Sequence, residues 1–184
     1  MHTTPLVLAS RSPQRKAILE QLGVAFTVRV ADIRERADGP AEEVVAENAR
    51  RKALGVEATP GELILGVDTV VATEGRLWGK PADERAAHEA LRALAGATHR
   101  VVSGVALVRG GRVREATAVT RVTFRALSDD AIARYVDTGE WRERAGGYAI
   151  QERGGALVRS IEGDYLNVVG LPVATMLDLE PGLV

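Results

Sequence analysis

The chain has 184 residues, 46% of them hydrophobic, which is enough for one globular domain with a continuous core. A net charge of −1 argues against broad electrostatic binding to DNA or RNA, and the absence of cysteine excludes disulfides, thiolate metal sites and thiol nucleophiles. No apolar run approaches the ~20 residues that span a bilayer, and the first residues do not resemble a signal peptide, so we expect a cytoplasmic protein that binds neither membranes nor nucleic acid.

The chain starts with an apolar strand, residues 5–9, followed by a polar and basic corner. Ser12 and Pro13 suit the N-cap and the first position of a helix, which we predict over residues 13–22, ending at Gly23. The free amides and positive dipole end of such a helix favour an anion, most often phosphate. A capped surface helix with solvated arginines explains the same segment equally well.

A second helix is predicted to start at Pro40, after a strand near residues 25–30 and a charged, turn-rich stretch. Its apolar positions have helical spacing and are Ala41, Val44, Val45, Ala49, Ala53 and Val56. Asn48 and Lys52 fall inside this stripe. A lysine there is unexpected unless its ammonium reaches a partner or a cleft, the alternative being a side chain that extends to solvent.

Residues 63–72 are predicted to form one long strand or a strand pair, with apolar residues on both sides of Asp68. Burying an ionised carboxylate alone costs several kcal/mol, so Asp68 needs cations or a metal nearby. Thr69 adds a hydroxyl at the same point. An aspartate that caps a turn at a strand end is the common alternative.

The rest of the chain alternates helices with long strands. We predict a turn at 74–75, an extended loop at 78–81, helices at 83–96 and 128–139, a hairpin of strands 101–108 and 112–124, a strand at 156–161 and a last helix after Pro172. This order indicates an α/β domain with a mixed, twisted sheet and flanking helices. Neither of the familiar glycine-rich phosphate-binding motifs is present.

Lysine is rare in this chain. Of its 24 basic residues only Lys16, Lys52 and Lys80 are lysines, and they mark positions where a compact ammonium is preferred to a planar guanidinium. Such cations, with the amides of a helix start, suit a triphosphate, and carboxylates such as Asp68 and Glu35 suit Mg²⁺ that bridges its oxygens.

The sequence also favours water as the nucleophile. Its three histidines, His2, His88 and His99, are scattered, so no Ser–His pair is evident, and a Cys–His pair is excluded. A carboxylate that orients or deprotonates water would complete such a site.

Five motifs occur along the chain: LVLASRSPQRKAILEQLG, GVDTVVATEGRLWGKP, LRALAGATHRVVSGVAL, AGGYAIQ and GDYLNVVGLP. Together they resemble the Maf family of nucleoside triphosphate pyrophosphatases. The resemblance implies one domain over residues 1–184, with an elongated two-lobed fold like that of inosine triphosphate pyrophosphatases and a central cleft. It also implies hydrolysis of a nucleoside triphosphate to the monophosphate and pyrophosphate, a divalent metal (Mg²⁺ or Mn²⁺) and a homodimer.

The resemblance further implies roles for individual residues. Asp68 would be the catalytic base or metal-orienting acid, and Glu35 would be a second metal-associated acid. The residues expected to bind the phosphates are Ser10, Arg15, Lys52 and Lys80.

Three residues bear on the choice of base. Thr69 and Gln151 match the subgroup that acts on dTTP and UTP, and an amide can pair with the O4 and N3–H edge of a pyrimidine. Gln14 stands where that subgroup commonly has a second arginine. It either broadens the base range or contacts the base in place of arginine.

Three other hypotheses remain at this point. The same chemistry could act on another base, such as 7-methyl-GTP, or on a broader set. A nucleotide-binding regulator of cell division would bind without hydrolysis. A purely structural domain would leave the positions of Lys52 and Asp68 unexplained.

Overall fold

The computed structural model describes residues 5–184 and has a mixed α/β architecture. The strands are β1 (Leu6–Leu8), β2 (Phe26–Val28), β3 (Leu63–Thr73), β4 (Arg76–Trp78), β5 (Thr98–Arg109), β6 (Arg112–Phe124) and β7 (Val158–Glu162). The helices are α1 (Pro13–Gln21), α2 (Ala41–Leu54), α3 (Glu84–Leu94), α4 (Asp129–Val136), α5 (Tyr165–Val169) and α6 (Val173–Leu179). Within the described range, every helix is too short or too polar to cross a lipid bilayer.

The strands form one sheet in the order β2-β1-β3-β5-β6-β7, and β4 also pairs with β3. β1 is parallel to both β2 and β3, whereas β4 is antiparallel to β3 and β7 is antiparallel to β6. The predicted mixed α/β sheet is therefore confirmed.

The chain divides into two compact units. The first comprises the described residues up to Asp68, together with Ser103–Ala118 and Gly170–Val184. The second comprises Thr69–Val102 and Val119–Val169. The chain passes from one unit to the other within β3, β5 and β6, and once more between α5 and α6.

The first unit packs α2 directly on the backbone of two strands. A Cβ at Gly66 of β3 would overlap the Ala49 carbonyl, and a Cβ at Gly104 of β5 would overlap the Val45 carbonyl. Only glycine permits this approach, so these two positions bring the polar residues of α2 close to β3. The core beside them contains Val7, Ala9, Ala49, Ala53, Ile64, Ala106 and Val108.

The second unit has its core around α3 and α4. Its buried helical residues are Ala87, Ala90, Leu91, Leu94, Ile132, Tyr135 and Val136. His99, Phe124 and Tyr148 pack edge to face, with ring centroids 4.8 to 5.5 Å apart. Tyr148 of this aromatic cluster lies three residues before Gln151 in the chain.

Three of the predicted helix starts are confirmed. The Ser12, Asp83 and Ser128 side chains each accept a hydrogen bond from the amide three residues later. The predicted hairpin turn is also confirmed, because Gly110 and Gly111 have φ angles of 55° and 79°, both positive as a type I′ turn requires.

Several predicted element boundaries were wrong. Pro40 is the N-cap of α2 rather than its first residue, and Trp78, which was predicted to lie in the extended loop, is the last residue of β4. β7 starts at Val158 because residues 153–157 form a 3₁₀ turn. α5 was not predicted, since five residues are too few to show a helical period.

Candidate active site

The start of α1 is a compact polar corner held by Ser10 and Arg15. The Ser10 hydroxyl accepts hydrogen bonds from the Ser12 amide at 3.2 Å and from Arg15 Nη1 at 2.9 Å. Arg15 Nε donates to the Gly170 carbonyl at 2.9 Å. The Ser12 hydroxyl donates to Gln14 Oε1 at 2.9 Å, which fixes the amide of Gln14 within the first turn.

Arg15 is buried, and two acids influence its charge. Burial lowers the pKa of its guanidinium, whereas the negative charges of Asp68 and Glu35 raise it. The first unit therefore contains a buried cation whose charged form is stabilised by the two predicted metal-associated acids.

Lys52 joins those same two acids directly. Its Nζ lies 2.6 Å from Asp68 Oδ1 and 2.9 Å from Glu35 Oε1. Only 15% of the Lys52 side chain and 9% of the Asp68 side chain is exposed. Asp68 thus sits within β3 with a cation against it, and the alternatives of a turn-capping aspartate and a solvent-facing lysine are wrong.

Asn48 completes this arrangement and was missed as a functional residue by the sequence analysis. Its Nδ2 donates to Asp68 Oδ2 and to the Arg36 carbonyl, both at 2.9 Å, and its Oδ1 accepts from the Arg36 amide at 2.7 Å. Asn48 therefore holds one oxygen of Asp68 and fixes the backbone of the loop next to Glu35. Its position in the apolar stripe of α2 was the available signal.

The other predicted site residues lie in the second unit. Thr69 follows Asp68 in β3 and is half-buried. Lys80 Nζ lies 2.6 Å from Glu143 Oε2, and this ion pair is largely exposed. The hydrogen bond and charge of Lys80 lower the pKa of Glu143, whose φ of 60° is unusual for a residue other than glycine. Gln151 is exposed, and its Nε2 donates to Glu152 Oε1 at 3.4 Å.

The histidines contribute no metal centre in the described part of the chain. No group of three or more His, Cys, Asp or Glu side chains there could hold a metal ion. His99 is buried against Tyr148, and burial lowers its pKa to about 4, so its ring is neutral at physiological pH. His2 lies outside the described residues.

Asp68 and Glu35 nevertheless fit a divalent cation. Their oxygens converge on a single cationic atom, Lys52 Nζ. Mg²⁺ prefers oxygen ligands and is commonly held by one or two carboxylates together with substrate phosphates and water. The two acids therefore form an incomplete donor set of the kind that a metal–nucleotide complex completes.

Similarity to known proteins assigns the family. A family model described as a Maf-like protein matches residues 5–179. The chain belongs to the Maf family. That match includes the nine predicted site residues, six of which lie in the first unit and three in the second.

Several curated relatives match nearly the whole chain. A protein of Exiguobacterium sibiricum is 47% identical over 171 residues, which cover 92% of this chain and 87% of the relative. One from Gloeobacter violaceus is 47% identical over 180 residues (96% and 95%), and one from Pyrococcus furiosus is 40% identical over 177 residues (95% and 93%). Each is named dTTP/UTP pyrophosphatase.

Proposed function

We propose that this protein hydrolyses dTTP and UTP to the corresponding monophosphate and pyrophosphate, acting as one functional domain. The observation that carries the proposal is the contact of Lys52 with two acids, the buried Asp68 and the more exposed Glu35. The names of the curated relatives support the substrate assignment.

Asp68 is proposed as the general base. Lys52 and Asn48 each donate a hydrogen bond to one of its oxygens, so the carboxylate has a fixed orientation. Each oxygen still has a second lone pair that can accept a proton. The carboxylate takes a proton from water as that water attacks phosphorus at the α–β linkage, the bond between the α- and β-phosphates breaks, and pyrophosphate leaves.

Phosphate binding is assigned to cations and to the start of α1. Ser10, Arg15 and Lys52 are proposed to bind phosphate oxygens in the first unit, where free helix amides add a partial positive charge. In the second unit Lys80 is proposed as a further phosphate ligand. These groups stabilise the charge that grows on the leaving pyrophosphate.

Asp68 and Glu35 are proposed to hold Mg²⁺ or Mn²⁺. When bound, the metal would neutralise phosphate charge and lower the pKa of a coordinated water. Lys52 contacts both acids, and it would compensate their charge before the metal–nucleotide complex arrives.

Base recognition is assigned to Gln14, Thr69 and Gln151. Amide side chains offer a donor and an acceptor together, which matches the imide edge of thymine and uracil. The cytoplasmic location and the homodimer implied by the resemblance stay predictions.

A nucleotide panel tests the function. With Mg²⁺ or Mn²⁺, dTTP and UTP should give the monophosphate and pyrophosphate, with kcat/KM at least about tenfold above that for CTP and purine triphosphates. Product analysis by ion-exchange chromatography measures this result. Preferred turnover of 7-methyl-GTP would overturn the base assignment, and tight binding without hydrolysis would favour the non-hydrolysing regulator.

The Lys80–Glu143 ion pair leads to a prediction about substrate affinity. A Glu143→Gln variant should lower KM for dTTP by about two- to fivefold, because the Lys80 ammonium would no longer be shared with a carboxylate. Steady-state kinetics at low ionic strength measures the change.

Glu84→Gln is the matched control for this variant. Glu84 is also an exposed acid of the second unit, and it pairs with Arg142 rather than with a proposed substrate ligand. An equal fall in KM for both variants would mean that net charge, not release of Lys80, is responsible.

A further inference from the structure

The side chain of Gln151 has a neighbour that determines which way its amide faces. Gln151 Nε2 donates to Glu152 Oε1 at 3.4 Å. A carboxylate only accepts hydrogen bonds, so the NH₂ group of Gln151, and not its carbonyl, must lie on the side of Glu152. The contact with Glu152 therefore assigns the O and N positions of this amide.

Glu152 is itself held in place. Arg144 Nη2 lies 3.3 Å from the same Glu152 Oε1, and only 16% of the Arg144 side chain is exposed. The Glu152 amide donates to the Ala149 carbonyl at 3.1 Å, and the Glu152 carbonyl accepts from the Gly155 amide at 3.1 Å. A short chain of contacts therefore runs from a half-buried guanidinium through Glu152 to the amide of Gln151.

The segment before Gln151 is anchored from the core of the second unit. The Ala149 amide donates to the Tyr135 hydroxyl at 3.0 Å, and Tyr148 shares a hydrogen bond of 2.9 Å with buried His99. The backbone is therefore held on both sides of Gln151, at Ala149 and at Glu152, whereas the exposed Gln151 side chain is free to rotate. Glu152 restricts that freedom.

An amide that can flip does not distinguish uracil from cytosine. Uracil presents a carbonyl at C4 and an N–H at N3, whereas cytosine presents an amino group at C4 and an acceptor at N3. A free glutamine pairs with either base by turning its amide by 180°. Discrimination requires a neighbour that makes one of the two orientations unfavourable.

We propose that Glu152 is the positioning residue that makes Gln151 specific for bases with an N3–H, namely uracil and thymine, over cytosine. The proposal rests on the proposed function, in which Gln151 contacts the base. With its NH₂ group directed to Glu152, Gln151 accepts from the N3–H of uracil through Oε1 and donates its second N–H to O4. Pairing with cytosine would turn the Gln151 carbonyl toward the Glu152 carboxylate and bring two acceptors together.

The test compares UTP and CTP as substrates of wild type, Glu152→Gln and Glu152→Ala. Wild type should prefer UTP, and both variants should lower the UTP/CTP ratio of kcat/KM by about five- to tenfold, mainly through better use of CTP. UTP turnover should change by less than about twofold. A purely structural defect would instead lower turnover of both nucleotides together.

Glu162→Gln is the charge-matched control. Glu162 is an exposed acid of the second unit that pairs with Arg121 on neighbouring β6, and its variant should keep the wild-type ratio. Glu152 is exposed, so thermal melting should show folded variants with a wild-type midpoint.

Glu152 variants that keep the wild-type preference for UTP over CTP would overturn the proposal while the proposed function stands. A wild-type enzyme that hydrolyses neither dTTP nor UTP would overturn the proposed function itself. The wild-type rates therefore separate the two failures.

Discussion

Replacing Asp68 with asparagine is expected to lower kcat for dTTP by about three orders of magnitude, the range attributed to a lost general base. Asparagine keeps the shape of the side chain but not its second acceptor. Lys52 Nζ and Asn48 Nδ2 are both donors, so the amide leaves one of them facing another donor. We expect a loss of about 1 to 3 kcal/mol in the free energy of unfolding, with the fold retained.

The measurements are single-turnover hydrolysis of dTTP and urea denaturation of the same preparation. Glu20→Gln, which removes an exposed carboxylate from α1, is the charge-matched control and should hydrolyse dTTP at the wild-type rate. Equal rates for wild type and Asp68→Asn would contradict the role of Asp68 as base. Binding of dTTP without metal should persist in this variant, because Lys52 and Arg15 are still present.

The site could be predicted from the sequence where a charged residue occupies a position that is expected to be buried. Lys52 lies in an apolar helical stripe and Asp68 in an apolar strand, and each position is costly unless the two charges meet. In the structure they do meet, at 2.6 Å. A local pattern was sufficient here because a buried charge is tolerated only when it is paired with an opposite charge or bound to a metal.

The partners of these residues could not be predicted from local patterns. Asn48 was noted only as a polar residue within the stripe, since asparagine carries no charge whose burial requires a partner. Its contact with Asp68 joins positions 20 residues apart, and the Lys80–Glu143 contact joins positions 63 apart. Such pairings depend on the tertiary fold, which periodicity does not reveal.

The fold was predicted best where elements are long and capped. Side-chain caps and turn glycines act within three or four residues, so their sequence signals are strong at the start of α1 and in the β5–β6 hairpin. The close approach of α2 to β3 and β5 was missed. In the sequence Gly66 is only a glycine within an apolar strand, and its need for a small residue follows from the packing of α2 on β3, which the sequence does not show.

Replacing Gly66 with alanine is therefore expected to have the largest effect on stability. The new Cβ would overlap the Ala49 carbonyl and lie 2.8 Å from the Ala53 amide nitrogen, both of which are backbone atoms of α2. A side chain can relieve such an overlap by changing its rotamer, but a helix backbone cannot, so α2 must shift away from β3. We expect a loss of about 3 kcal/mol in the free energy of unfolding, measured by urea denaturation.

The same shift should reduce activity, because α2 carries both Asn48 and Lys52 while β3 carries Asp68. A displacement of about 1 Å between catalytic groups can lower a rate about a hundredfold, so kcat for dTTP should fall even at temperatures where the variant is fully folded. Gly182→Ala is the control. A Cβ at Gly182 meets nothing within 4 Å, and its variant should keep wild-type stability and kcat. A Gly66→Ala variant with wild-type stability would show that α2 can move away from β3 at little cost, and wild-type kcat in that variant would mean that the exact distance between Lys52 and Asp68 does not limit catalysis.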